Sequence, residues 1–193
     1  MLRPFNAFLA IISFMLFSSC DHSQSPTEVV IHDDALSDDA YASVLRKETR
    51  EASVYSNFET KLMVKVTYLS DDFRLAFDKR YETLMEEKRF SLGEADKKSG
   101  FFISIFTPDQ QKPELDNSKF WTLILKNRTD LKRYPTMVRH LSEKDRWKPF
   151  FPWLNRWSHE YLVLFDSEDD NPTGPEAFTL SLSNPDARVS LNW

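Results

Sequence analysis

Residues 58–68, "FETKLMVKVTY", place Phe58, Leu62, Val64, Val66 and Tyr68 on one side and Glu59, Lys61 and Lys65 on the other. A period of two is that of a strand with one face buried and one face in water. The pattern returns in "FFISIFT" (101–107), "FWTLILKN" (120–127), "HEYLVLFD" (159–166), "FTLSLS" (178–183) and "RVSLNW" (188–193), and "KETREASVY" (47–55) is a further candidate. Short strands with polar connections cannot bury their apolar faces within one layer. The expected fold is mainly β, an antiparallel sandwich loosely like an immunoglobulin domain.

The last two strands meet at "NPDA" (184–187), where Pro185 presets the backbone for a turn and Asn184 can hydrogen-bond the backbone beyond it. That register turns Ser181, Ser183, Ser190 and Asn192 outward. Leu180, Leu182, Val189, Leu191 and Trp193 then face the core. One segment departs from the period of two: in "SDDFRLAFDKRYETLMEEK" the residues Phe73, Phe77, Tyr81, Leu84 and Met85 recur at helical spacing. Ser70 stands at the capping position, with Asp71 and Asp72 near the positive end of the dipole. This is the one inserted amphipathic helix expected. "LKRYPTMVRHLSEKD" is ambiguous, because Pro135 can open a short helix or interrupt a strand.

The amino-terminal stretch has a different logic. Arg3 precedes an apolar run, Phe5–Phe17, broken only by Asn6 and Ser13. As a helix rising about 1.5 Å per residue it would cover about 20 Å of a hydrocarbon core roughly 30 Å thick. A basic start, a short apolar run and small residues before a boundary form the pattern of a secretory signal. Here Ser18 and Ser19 lead into Cys20, the only cysteine of the chain.

"FSSC" (17–20) resembles the lipobox of bacterial lipoproteins, with Phe17 where leucine is commonest and Leu16 one place earlier. The resemblance implies that the signal, residues 1–19, is cut before Cys20 and that the cysteine carries diacylglycerol. Such anchors gain about 0.8 kcal/mol per buried CH₂, so two or three chains hold stably. It further implies a bacterial envelope location, periplasm-facing, with the membrane as partner through lipid on Cys20. Asp21, directly after the cysteine, resembles the signal that keeps enteric lipoproteins in the inner membrane. Residues 20–42 are then the lipidated cysteine and an acidic tether too poor in apolar side chains to fold alone, and 43–193 the globular domain.

Composition narrows the chemistry. With 25 Lys and Arg against 30 Asp and Glu, a net charge of -5 repels phosphate, so no nucleic-acid partner is expected. Three glycines, Gly93, Gly100 and Gly174, form no phosphate-cradling run, and thiolate-rich metal sites need cysteines the chain lacks. No cofactor is expected. "DSEDDNPTG" (166–174) offers oxygen ligands of the kind calcium accepts, but Asn171 and Ala177 stand where an EF-hand needs glycine and glutamate. An acidic inter-strand loop is the plainer reading of 166–171, and no metal site is assigned.

His140 lies near Ser142, Glu143 and Asp145, and His159 sits between Ser158 and Glu160. These are the candidates for a hydrolase acting on envelope material, although the strained Gly-x-Ser-x-Gly elbow is absent. "RWKPFFPWLNRW" (146–157) gathers Trp147, Trp153 and Trp157 with two phenylalanines and two prolines. Exposed, the indoles would bind glycan or a lipid surface; buried, they would close one end of the sandwich. The sequence therefore points to a lipid-anchored envelope protein with a binding or structural role, its envelope protein or glycan partner unidentified. The enzyme is the alternative.

Overall fold

The computed structural model describes residues 27–28, 39–85, 98–108, 114–166 and 178–193. Among them lie ten strands: β1 (Thr27–Glu28), β2 (Thr49–Ser56), β3 (Glu59–Tyr68), β4 (Ser99–Phe106), β5 (Thr122–Asn127), β6 (Lys132–Arg133), β7 (Met137–His140), β8 (His159–Phe165), β9 (Phe178–Ser183) and β10 (Arg188–Asn192). Three helices accompany them, α1 (Asp39–Glu48), α2 (Asp71–Met85) and the single turn α3 (Lys144–Trp147). The strands form two antiparallel sheets, ordered β1-β2-β3-β4-β8-β7 and β10-β9-β5-β6. The β sandwich that the alternating strands imply is present.

Its core is built from the residues the period of two selects. Leu62, Val64 and Val66 of β3, Phe101, Ile103 and Ile105 of β4, and Val163 and Phe165 of β8 meet Leu123, Leu125, Leu180, Leu182 and Leu191 of the smaller sheet. The turn at 184–187 forms as its residues suggest, with Asn184 Oδ1 accepting from the amides of Asp186 (2.9 Å) and Ala187 (2.7 Å). Trp193 is buried, stacks on Phe178 at 5.4 Å between centroids and donates from Nε1 to the Glu48 carbonyl at 2.9 Å. The two sheets close along β2 and β10, where Arg50 Nε donates to the Asn192 carbonyl at 2.9 Å.

A third layer covers the outer face of the six-stranded sheet. α2 starts where Ser70 Oγ accepts from the Phe73 amide at 3.1 Å, and it buries Phe73, Phe77 and Tyr81. α1 buries Tyr41, Ala42 and Leu45, residues that straddle the tether boundary expected at 42. Its Tyr41 hydroxyl donates to the Phe150 carbonyl at 3.0 Å. Phe151 lies flat on Phe102 of β4 at 3.7 Å between centroids, and Phe150 packs on Phe77 at 4.6 Å. The aromatic segment therefore roofs a sheet face instead of plugging an end of the sandwich.

Two local features set the geometry that follows. Gly100 allows the close approach of this layer, since a Cβ there would stand 3.1 Å from Leu69 Cδ1 and 3.2 Å from Leu164 Cδ2. At the other end of β3, the pairing with β2 shifts between Val54 and Tyr55, leaving Lys61 as the extra residue of a bulge. The bulge breaks the alternation before it reaches Phe58. Phe58 accordingly leaves the core face and stands fully exposed at the hairpin tip, where Asn57 and Phe58 have φ of 53° and 63°.

Pro135 interrupts a strand. The chain pairs with β5 through Lys132 and Arg133, passes the proline, and pairs with β8 through Met137–His140, so it changes sheets there.

Candidate functional site

The outer faces of β2, β3 and β4 carry Glu51, Ser53, Met63, Lys65, Ser104 and Phe106, because Ala52, Val64 and Ile105 turn toward the sandwich core. The helices do not reach this far along the sheet. The strand residues become the floor of a cleft of about 220 Å³ whose wall is Trp153, Asn155, Trp157 and Ser158. Most of its surface is apolar. The Glu51–Lys65 ion pair, 2.9 Å long, crosses the floor, and Lys65 Nζ lies 5.6 Å from the centroid of the Trp153 ring.

The wall is held by a tight backbone arrangement. Asn155 Oδ1 accepts from the Trp157 amide at 2.9 Å, and the Asn155 amide donates to Ser158 Oγ at 3.3 Å. Ser158 Oγ also lies 2.5 Å from Glu160 Oε1 and 2.9 Å from the Asn155 carbonyl. These bonds fix the loop where it joins β8 and leave Trp157 48 % exposed, with the Arg156 guanidinium 4.4 Å from its ring centroid. Trp153 Nε1 is buried with no acceptor among the described residues.

The three tryptophans separate. Trp147 belongs to the core beneath the helices and lies 6.2 Å from Phe102, whereas Trp153 and Trp157 line the cleft. The residues that complete the site, Met63, Phe106, Glu51 and Lys65, come from strands far from 146–157 in sequence. Their only local sign is Met63, a large apolar side chain between Lys61 and Lys65 on the polar face of β3.

The histidines gather elsewhere. His140 and His159 sit on neighbouring strands with ring centroids 5.9 Å apart, both exposed, and His140 Nδ1 is 3.9 Å from Glu114 Oε2. Beside them Tyr161 is buried, and burial pushes its hydroxyl up to about 12. Of the neighbours expected from sequence, Glu143 pairs with Arg146 at 3.2 Å, and Ser158 bonds Glu160 in the cleft wall. The two histidines meet each other instead, and His140 alone faces Glu114.

Cys20, Asp21 and residues 167–171 lie outside the described residues. Asp166, at the start of the acidic loop, pairs with Lys98 at 3.3 Å. Among the described residues no group of three or more His, Cys, Asp or Glu is placed to hold a metal ion, and no helix is long and apolar enough to cross a membrane. No protein-family model, curated protein or solved structure matches the chain.

Proposed function

We propose that the protein is a lipid-anchored bacterial envelope binding module that holds its ligand in the cleft beside Trp153 and Trp157. The observation that carries the reading is the cleft itself, about 220 Å³ with two indoles facing a polar-edged floor. Flat apolar faces rimmed by hydroxyl, carboxylate, ammonium and amide groups suit a sugar ring, which stacks one face and hydrogen-bonds at its edge. A glycan of the envelope is therefore the ligand class. Titrating the protein with envelope oligosaccharides should change its tryptophan fluorescence, and Trp157→Ala should weaken binding about tenfold or more. Unchanged affinity in that variant would sink the reading.

The anchor follows from "FSSC". Cys20 carries the lipid, and Asp21 holds the protein at the periplasmic face of the inner membrane. Feeding cells a clickable fatty acid should label the wild type and leave Cys20→Ala dark; fractionated membranes should show Asp21→Ser moving to the outer membrane. Equal labelling of both proteins removes the anchor, and wild type already in the outer membrane removes the address.

The hydrolase alternative draws on the His140, His159 and Glu114 group. It has less support, because Ser158, the serine beside His159 in sequence, is tied to Glu160.

A further inference from the structure

We infer that the tip of the β2–β3 hairpin is a second membrane contact, with the Phe58 ring dipping into the lipid surface to which the chain is anchored. This rests on the proposed lipidation of Cys20. Phe58 is the most exposed large apolar residue among those described, and it occupies a left-handed conformation, φ 63°, that favours glycine. A bulky ring kept in water at a strained position does nothing for the fold. Tyr55, also exposed, stands on the same hairpin.

The pairing of β1 bounds the distance between the anchor and the hairpin tip. Thr27 pairs with Glu51 and Glu28 with Arg50, antiparallel, so the chain enters β1 from the side of the hairpin tip. Six residues, hence seven Cα steps, separate Cys20 from Thr27, a reach of at most about 25 Å. From Glu51 to the tip, β2 covers about 20 Å at roughly 3.4 Å per residue. The anchor can therefore sit level with Phe58.

The same end of the sheet carries the exposed Trp157 beside Arg156, because Met63 pairs with Phe106 of β4 and Ile105 pairs with His159 just past that loop. An indole and a cation at one level suit the boundary between acyl chains and anionic headgroups. One phenylalanine cannot hold an acidic protein on a membrane. It can orient one that is already tethered there, since the tether makes the contact intramolecular. The cleft would then open beside the bilayer.

The test uses the full-length acylated protein in vesicles of phosphatidylethanolamine and phosphatidylglycerol. With Cys20 acylated, Phe58→Cys introduces the one free thiol, which takes an environment-sensitive fluorophore; Asn57→Cys is a second tip position, and Leu131→Cys, in the turn after β5, is a control at the opposite end. Brominated acyl chains should quench the tip labels at least threefold more than the control label. Tip labels that stay unquenched while the protein floats with the vesicles would overturn the contact and leave the anchor standing. Protection of the tip only when envelope proteins are added would overturn it equally, in favour of a protein partner. If mass spectrometry finds Cys20 unmodified and the protein does not float, the lipoprotein reading fails and the contact fails with it.

Discussion

At Phe58 a single side chain sets local stability against exposure. An L-residue in the left-handed region costs roughly 1–2 kcal/mol, and the turn found at Asn57 and Phe58, with both φ positive, is the one that favours Asn-Gly. Phe58→Gly should therefore raise the unfolding free energy by about 0.5–1 kcal/mol, the relief of strain exceeding the added freedom of the unfolded chain. Urea midpoints decide it, and a lower midpoint would mean that the ring packs on the body. Tyr161 gives a pH-dependent counterpart. Its hydroxyl is held up to about 12 chiefly because burial penalises the phenolate. The group is neutral in the fold and ionises near 10 in the unfolded chain, so its contribution is complete below about pH 10 and is lost as pH rises toward 12. Tyr161→Phe should lose less stability across that window than the wild type, as thermal midpoints at stepped pH will show; parallel curves would reject the assignment.

Among the elements, α2 is fixed by its start. Ser70 Oγ is the side-chain acceptor for the Phe73 amide, and Phe73 anchors the layer through Tyr41 at 6.1 Å and Phe151 at 6.1 Å between centroids. Ser70→Ala should cost about 1 kcal/mol, while Ser70→Asp, which keeps an acceptor, should cost little. Equal losses in a thermal melt would show that the cap is idle. α2 was legible because its apolar residues repeat at helical spacing behind a capping serine, and the long strands were legible by their alternation. α1 was not, since Tyr41, Ala42 and Leu45 follow the acidic run "DDALSDD" and read as its continuation. The aromatic segment was legible as apolar but not as a roof, because rings without a period do not say which face they cover. A period of two puts Phe58 on the core face, because one bulge residue, Lys61, is invisible to a count of twos.

For the molecule as a whole, the six-stranded sheet is the shared layer. β4 and β8 are buried on both faces, and "FFISIF" and "YLVLF" already carry the near-continuous apolar runs that such strands need. A third layer was therefore implicit in sequence, whereas the cleft was not: its floor and wall come from three strands and a distant loop, and only the register brings them together. The layering also makes α1 part of the folded body. Tyr41 is buried, bonds the Phe150 carbonyl, and lies under the Arg80 guanidinium at 5.0 Å, and Arg80 itself bonds the Pro149 carbonyl. α1 thus ties α2 to the segment that ends in the cleft wall. A chain beginning at Asp39 should unfold cooperatively with a β-rich circular dichroism spectrum. One beginning at Ser43 lacks Tyr41 and should be less stable by about 3–5 kcal/mol, the usual cost of deleting a large buried ring. Because the lost support lies beneath Phe150 and Phe151, the shorter chain should also bind cleft ligands more weakly. Equal urea midpoints for the two chains would show that the body begins after α1's first turn, at the boundary near 42 that the acidic tether alone suggests.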